Sequence, residues 1–333
     1  MFVSQNGIFT FDLGEKTMKS MMLVNVHFGK YKDYFPLFIN SCRNNPTVNF
    51  LLVTDQFIDS PPLNVIVKYM TFGECKTRIQ KMFDFPINLS SAYDLCDYKV
   101  AYGELFGDEL ANTDFWGYCD TDLVFGNIRK FITDDILDNY DKVLIRGHFT
   151  LFRNRSDINT IYRRKLADGT ERFKQVFMDD GIHHFDEGLP GVTQGINTLF
   201  AEAIGWDKVY DEYVFMDLCV DTFSFINADF KNDKEERRKA RHSFFLYDGA
   251  LFRILQDGHS EEFMYIHFQK RNMKVGNVDL ISKKYYIVPN RFVALDEIST
   301  AQLHRSNNGR IYWNKIGGCL SGKAKRVFRR LFR

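Results

Sequence analysis

Residues 114–122 read DFWGYCDTD, an aromatic run that passes straight into two carboxylates one residue apart. The five residues between Asp114 and Asp120 have the length and composition of a buried strand, and LVFGNIRKF follows at 123–131. Asp120-Thr121-Asp122 is the one D-x-D in the chain. Chance alone supplies such triplets, so its position counts for more than its letters. Ligands of open α/β sheets bind beyond the carboxyl ends of the strands, where an acidic pair faces the crevice. Two hard carboxylates there suit Mg²⁺ or Mn²⁺, which keep coordination positions for phosphate oxygens.

Upstream, an apolar run at 21–27 breaks at Gly29. A helix is predicted over 32–44, with apolar residues at Tyr34, Phe35, Leu37, Phe38 and Ile39, ending near Asn44-Asn45-Pro46. Strands are predicted at 48–54 (VNFLLVT), closed by Asp55, and at 64–69 (NVIVKY), behind the Pro61-Pro62 break. A second helix covers 71–83. This β-α-β-α-β order predicts an α/β fold with a mainly parallel sheet and flanking helices. Downstream, helices are expected at 98–110 and 128–140 and a strand at 142–145. Strand-like runs return at 243–247, 250–255 and 263–267. The charge run at 231–242 (KNDKEERRKARH) reads as a solvated loop.

Composition excludes several classes. A net charge of +1 over 333 residues argues against a polyanion-binding body and against nucleic acid as a partner. The six cysteines lack any C-x-x-C pair, so neither a zinc cluster nor a disulfide framework is read. The first residues lack the basic-then-apolar order of a signal peptide, and no run approaches the ~18 apolar residues of a membrane span. Aromatic residues make up 16% of the chain, which core packing explains first.

CDYKVAYGELFGDELANTDFWGYCDTDLVFGNIRKF, residues 96–131, resembles the core of bacterial polysaccharide- and lipopolysaccharide-locus glycosyltransferases of GT-A fold. It is more distantly similar to the glycogenin-like and lipopolysaccharide galactosyltransferase families. The resemblance implies a metal-dependent hexosyltransferase that uses a nucleotide sugar, with UDP-galactose or another UDP-hexose as donor. It implies Mn²⁺ or Mg²⁺ on Asp120 and Asp122, with Asp120 nearer the ribose. It places Lys99 near the donor, with Asp97 bracing it. His27, at the end of the first strand, and Asp55, at the end of the second, would border the nucleobase and ribose; a strand-end Asp is also a common turn residue.

MYIHFQKR, residues 264–271, ends an apolar strand in a histidine followed by bases. By the same resemblance His267 completes the metal site and Lys270 contacts the diphosphate, although the family's H-x-x-G-x-x-K spacing is not reproduced. In HHFDEGLPG, residues 183–191, either Asp186 or Glu187 is a candidate general base for an inverting transfer. The expected organisation is a nucleotide-sugar half at 1–152, an acceptor-binding part of the same domain at 153–290 and an extension at 291–333. That extension ends in KAKRVFRRLFR, whose Val327, Phe328, Leu331 and Phe332 form one apolar stripe among cations. Such a helix suits an anionic membrane surface. It predicts a cytoplasmic enzyme held at the inner leaflet, where a lipid-linked saccharide of polysaccharide, capsule or lipopolysaccharide synthesis would be the acceptor.

Two other readings compete. Asp120-Thr121-Asp122-Leu123-Val124 also fits the nucleophile loop of haloacid-dehalogenase-type phosphohydrolases, with Lys174 and Asp179-Asp180 as later motifs. That loop normally ends the first strand of its domain, which is not its place here. The other reading is a non-catalytic, glycan-binding relative.

Overall fold

The structure, a computed structural model, describes residues 17–188, 194–218, 225, 227–229, 234, 243–254, 259–269 and 271–295. Its centre is a seven-stranded sheet of β1 (Met21–His27), β2 (Asn49–Thr54), β3 (Val65–Tyr69), β4 (Phe115–Cys119), β6 (Lys142–Arg146), β7 (Phe149–Arg153) and β8 (Val209–Tyr210), in the order β3-β2-β1-β4-β7-β6-β8. Between β4 and β6 lies β7, antiparallel to both, while the remaining pairings are parallel. This is the mainly parallel α/β sheet that the alternating pattern predicts. The β1 and β4 strands are apolar along almost their whole length because helices cover both faces.

Local chemistry explains the helices. Helix α1 (Phe35–Arg43) has Pro36 in its first turn, where no backbone donor is lost, and buries Phe35, Leu37 and Phe38. Helix α2 (Phe72–Gln80) starts at a Thr71/Glu74 capping box. The continuous helix expected at 98–110 is instead a chain of short turns: α3 (Leu95–Tyr98), then Lys99–Ala101, Tyr102–Leu105 and Gly107–Leu110. Gly103 and Gly107 are weak helix formers. A Cβ at Gly103 would lie 2.4 Å from the Trp116 indole, so this glycine lets the turn rest on β4. The helix expected at 128–140 breaks into Ile128–Phe131 and Asp134–Asn139, because the Thr133 hydroxyl accepts the Ile136 N–H and starts a new helix.

A six-stranded sheet packs beside the first. It contains β10 (Ser243–Tyr247), β11 (Ala250–Ile254), β12 (Ser260–Phe263), β14 (Lys274–Val275), β15 (Lys284–Val288) and β16 (Arg291–Val293). A third sheet joins β5 (Leu123–Phe125), β13 (Tyr265–His267) and β9 (Phe215–Asp217). The single strand expected at 263–267 is therefore two. At Met264 the chain leaves one sheet for the other, its N–H bonding Val214 O and its carbonyl accepting from Gly126, each at 2.7 Å. Residues 153–290 thus return to the first half, adding β8 to the central sheet and β9 and β13 to β5. Residues 291–293, expected in a separate extension, pair with β15. The basic tail and most of the 231–242 charge run lie outside the described residues.

Candidate metal and donor site

Asp120 follows the last residue of β4, and its N–H is held by His148 O at 3.0 Å. Asp122 sits one step on, before β5. The β5–β13 pairing sets His267 opposite Leu123. The register thereby carries an imidazole from the far end of the chain to the acidic triplet. Ligand atoms of Asp120, Asp122 and His267 lie within 4.8 Å of one another. His267 Nε2 is 3.3 Å from Asp122 Oδ1, and His267 Nδ1 is 2.8 Å from Asp217 Oδ1. Burial opposes a charge on this ring, but Asp122 and Asp217 outweigh it and push the pKa up to about 10. With no cation bound, the two carboxylates favour the protonated ring. One imidazole and two carboxylates form a donor set that suits Mn²⁺ better than Mg²⁺.

Lys99 lies behind Asp120. Its Nζ donates to Asp120 Oδ1 at 2.7 Å and to Gly147 O at 2.8 Å, with Asp186 Oδ2 at 3.5 Å. Burial works against the ammonium, yet Asp120 and Asp186 together hold its pKa well above the ordinary lysine value. Asp97 does not brace Lys99. Its two oxygens accept the backbone N–H groups of His183 (2.8 Å) and Phe185 (2.7 Å), so it clamps the loop that carries Asp186 and Glu187. That loop reaches Gly147, whose N–H donates to Glu187 Oε1 at 2.7 Å. A Cβ at Gly147 would lie 2.5 Å from Asp186 Oδ2, so a side chain here would push the Asp186 carboxylate aside.

Asp186 is buried, and its pKa is raised to about 7. Burial is the main cause; Lys99 opposes it, while Glu187 and Asp120 add to it. The folded protein therefore holds a proton that the unfolded chain releases near pH 4. Asp186's contribution to stability therefore falls as pH rises from about 4 to about 7 and is level beyond. Asp186→Asn is expected to leave stability almost unchanged at pH 4.5 and to raise it at pH 8. The gain is up to about 4 kcal/mol, at about 1.4 kcal/mol per pH unit. Urea unfolding at the two pH values checks this, and an equal change at both defeats it.

His27 stacks on Tyr31 at 4.3 Å and has a buried Nε2 with no hydrogen-bond partner among the described residues. Burial lowers its pKa, while nearby Asp55 and Asp120 act in the opposite direction. Asp55 Oδ1 accepts the Gly29 N–H at 2.9 Å, closing the turn after β1. Lys270 lies outside the described residues. Among the described residues, the groups of the phosphohydrolase reading are paired elsewhere. Lys174 pairs with Glu171 and Asp179 with His183, while the cation beside Asp120 is Lys99.

Sequence reading passes over Asp217, Gln269, His148 and Gly147. Asp217 ends a short strand in an acid, the same signal that marks Asp120, but the strand is only three residues long. His148 stacks on His267 at 4.1 Å, and nothing in its local sequence points there.

The chain belongs to a family described as a family of unknown function (DUF6625), whose model matches residues 23–296. No protein of curated function matches it. Among solved structures it is similar to the galactosyltransferase LgtC in complex with donor and acceptor sugar analogues, at 10% identity and a TM-score of 0.38, over 75% of this chain and 86% of that one. It is also similar to mouse xyloside xylosyltransferase 1 in its apo form, at 10% identity and a TM-score of 0.38, over 76% and 98%. The glycosyltransferase GlyE of Streptococcus pneumoniae TIGR4 is similar at 10% identity and a TM-score of 0.29, over 59% and 45%.

Proposed function

We propose that this chain is a metal-dependent glycosyltransferase that moves a hexosyl group from a UDP-sugar to a saccharide acceptor. The observation that carries the reading is the convergence of Asp120, Asp122 and His267 beyond the carboxyl ends of β4 and β13. A divalent cation there would neutralise the charge that builds on the departing diphosphate. Lys99, tied to Asp120, adds a fixed positive charge behind the phosphates. His27 and Asp55, at the ends of β1 and β2, border the nucleoside. Asp186, with a pKa near 7, is matched to take the acceptor hydroxyl's proton in an inverting transfer, and Glu187 lies beside it.

No helix of the described residues is long and apolar enough to cross a membrane. An inner-leaflet, cytoplasmic location and a lipid-linked acceptor of cell-surface polysaccharide synthesis belong to this proposal, and the charge pattern of residues 323–333 supports them. A thermal-shift series of nucleotides and nucleotide sugars, with and without Mn²⁺, tests the reading. UDP-linked compounds are expected to raise Tm by several degrees only with the metal. Equal shifts for all nucleotides, or none with Mn²⁺, would remove the basis for it.

A further inference from the structure

Asp217 closes β9 and stands directly opposite His267 in the parallel β9–β13 pairing. Residues in register on neighbouring strands project to the same face, so this pairing alone sets carboxylate beside imidazole. Asp217 Oδ1 takes hydrogen bonds from His267 Nδ1 and from Gln269 Nε2, both at 2.8 Å. The second bond comes from a residue whose φ of +50° turns the chain sharply after β13 and brings the carboxamide back. On the ring's face, His148 stacks with its centroid 4.1 Å away and its plane 20° off parallel. The same His148 holds the Asp120 N–H through its carbonyl. The imidazole is thus restrained in plane by a ring and in rotation by a carboxylate.

We propose that Asp217, itself steadied by Gln269, is a positioning residue that keeps the His267 proton on Nδ1 and turns Nε2 toward Asp122 as a ligand for the cation. The inference rests on the metal site described above. A cation held by His148, Asp217 and His267 together is the competing arrangement, since their ligand atoms also lie within 4.8 Å. Geometry disfavours it. Stacked rings send their nitrogen lone pairs out side by side, and two nitrogens so directed do not converge at the ~2.1 Å a metal–imidazole bond requires. Asp217 Oδ1 is also already engaged by two donors.

Mn²⁺ titration by calorimetry, followed by pulsed EPR of the bound ion, tests the assignment in the full-length protein. Asp217→Asn is nearly isosteric and removes the negative charge that holds the proton on Nδ1. We expect Mn²⁺ binding to weaken ~10- to 100-fold, as outer partners of metal ligands do, and the imidazole-nitrogen coupling of the bound Mn²⁺ to fade. Gln269→Met, which removes one hydrogen bond to Asp217, should weaken binding by a smaller factor, about threefold to tenfold, and carries the test if Asp217→Asn does not fold. Mn²⁺ affinity and nitrogen coupling unchanged in both variants, with Asp122→Asn losing the metal, would overturn the positioning role and leave the metal site standing. Absence of Mn²⁺ binding to the wild type would overturn both.

Discussion

Asp122→Asn is expected to lower turnover of the UDP-sugar on the order of 10³-fold, about 4 kcal/mol of transition-state stabilisation. It is also expected to abolish the Mn²⁺-dependent part of the thermal shift with UDP. Asp122 is one of the three candidate ligands, with His267 Nε2 at 3.3 Å and Phe268 N bonded to its carbonyl at 2.9 Å. That backbone bond ties the turn after Asp122 to the end of β13, so the substitution changes the donor chemistry and leaves the frame intact. An amide oxygen is a weaker ligand than a carboxylate and does not balance the charge of a divalent ion. Turnover within threefold of the wild type, at saturating Mn²⁺, would show that the triplet does not hold the ion on which the chemistry depends.

The second large effect is on stability. Lys99→Met removes a nearly buried ammonium that serves Asp120, Asp186 and the Gly147 carbonyl at once. What remains is a buried carboxyl without its counter-ion and a carbonyl without its donor, a loss of about 3–5 kcal/mol. The sign of the pH dependence follows from Asp186. Lys99 draws its pKa down against burial, so without Lys99 the pKa rises above about 7. Below that range the carboxyl is neutral and needs no cation. The loss should therefore be smaller at pH 5.5 than at pH 8, as urea unfolding at the two values would show. Adding Asp186→Asn should recover part of the loss at pH 8, because the two residues interact directly. A loss under about 1 kcal/mol at pH 8 would mean that Lys99 is replaceable by solvent.

Much of the frame was legible before any coordinates. The first four strands are short runs rich in β-branched and aromatic residues and bounded by clear breaks, the combination that separates a strand from a buried helix. The acidic triplet was legible because a strand leads into it. His267 stood out through the apolar run that ends on it together with the resemblance to the glycogenin-like families. What escaped has a common physical cause. The antiparallel β7 looks locally like its parallel neighbours, since hydrophobicity does not encode direction. Asp217 and His267 meet across 50 residues, through a register between two three-residue strands. Asp97 carries the same side chain as a donor-site acid, and only the fold reveals that both of its oxygens are spent on the backbone of residues 183–185. Helix breaks at Thr133 and Gly103 were visible as signals, but the apolar periodicity around them read more strongly.

The change of sheet at Met264 has a consequence for how the molecule comes into being. Asp120 and Asp122 leave the ribosome early, and the strands that frame them can pair as soon as β7 and β6 follow. His267 arrives some 145 residues later, and Asp217 has nothing to orient until then. A nascent chain can thus own its central sheet while lacking a complete set of ligands. Closing so long a loop is slow compared with local folding. On the proposed function, the three candidate ligands come together only after residue 267 has been made, so cation binding would be a late step of synthesis.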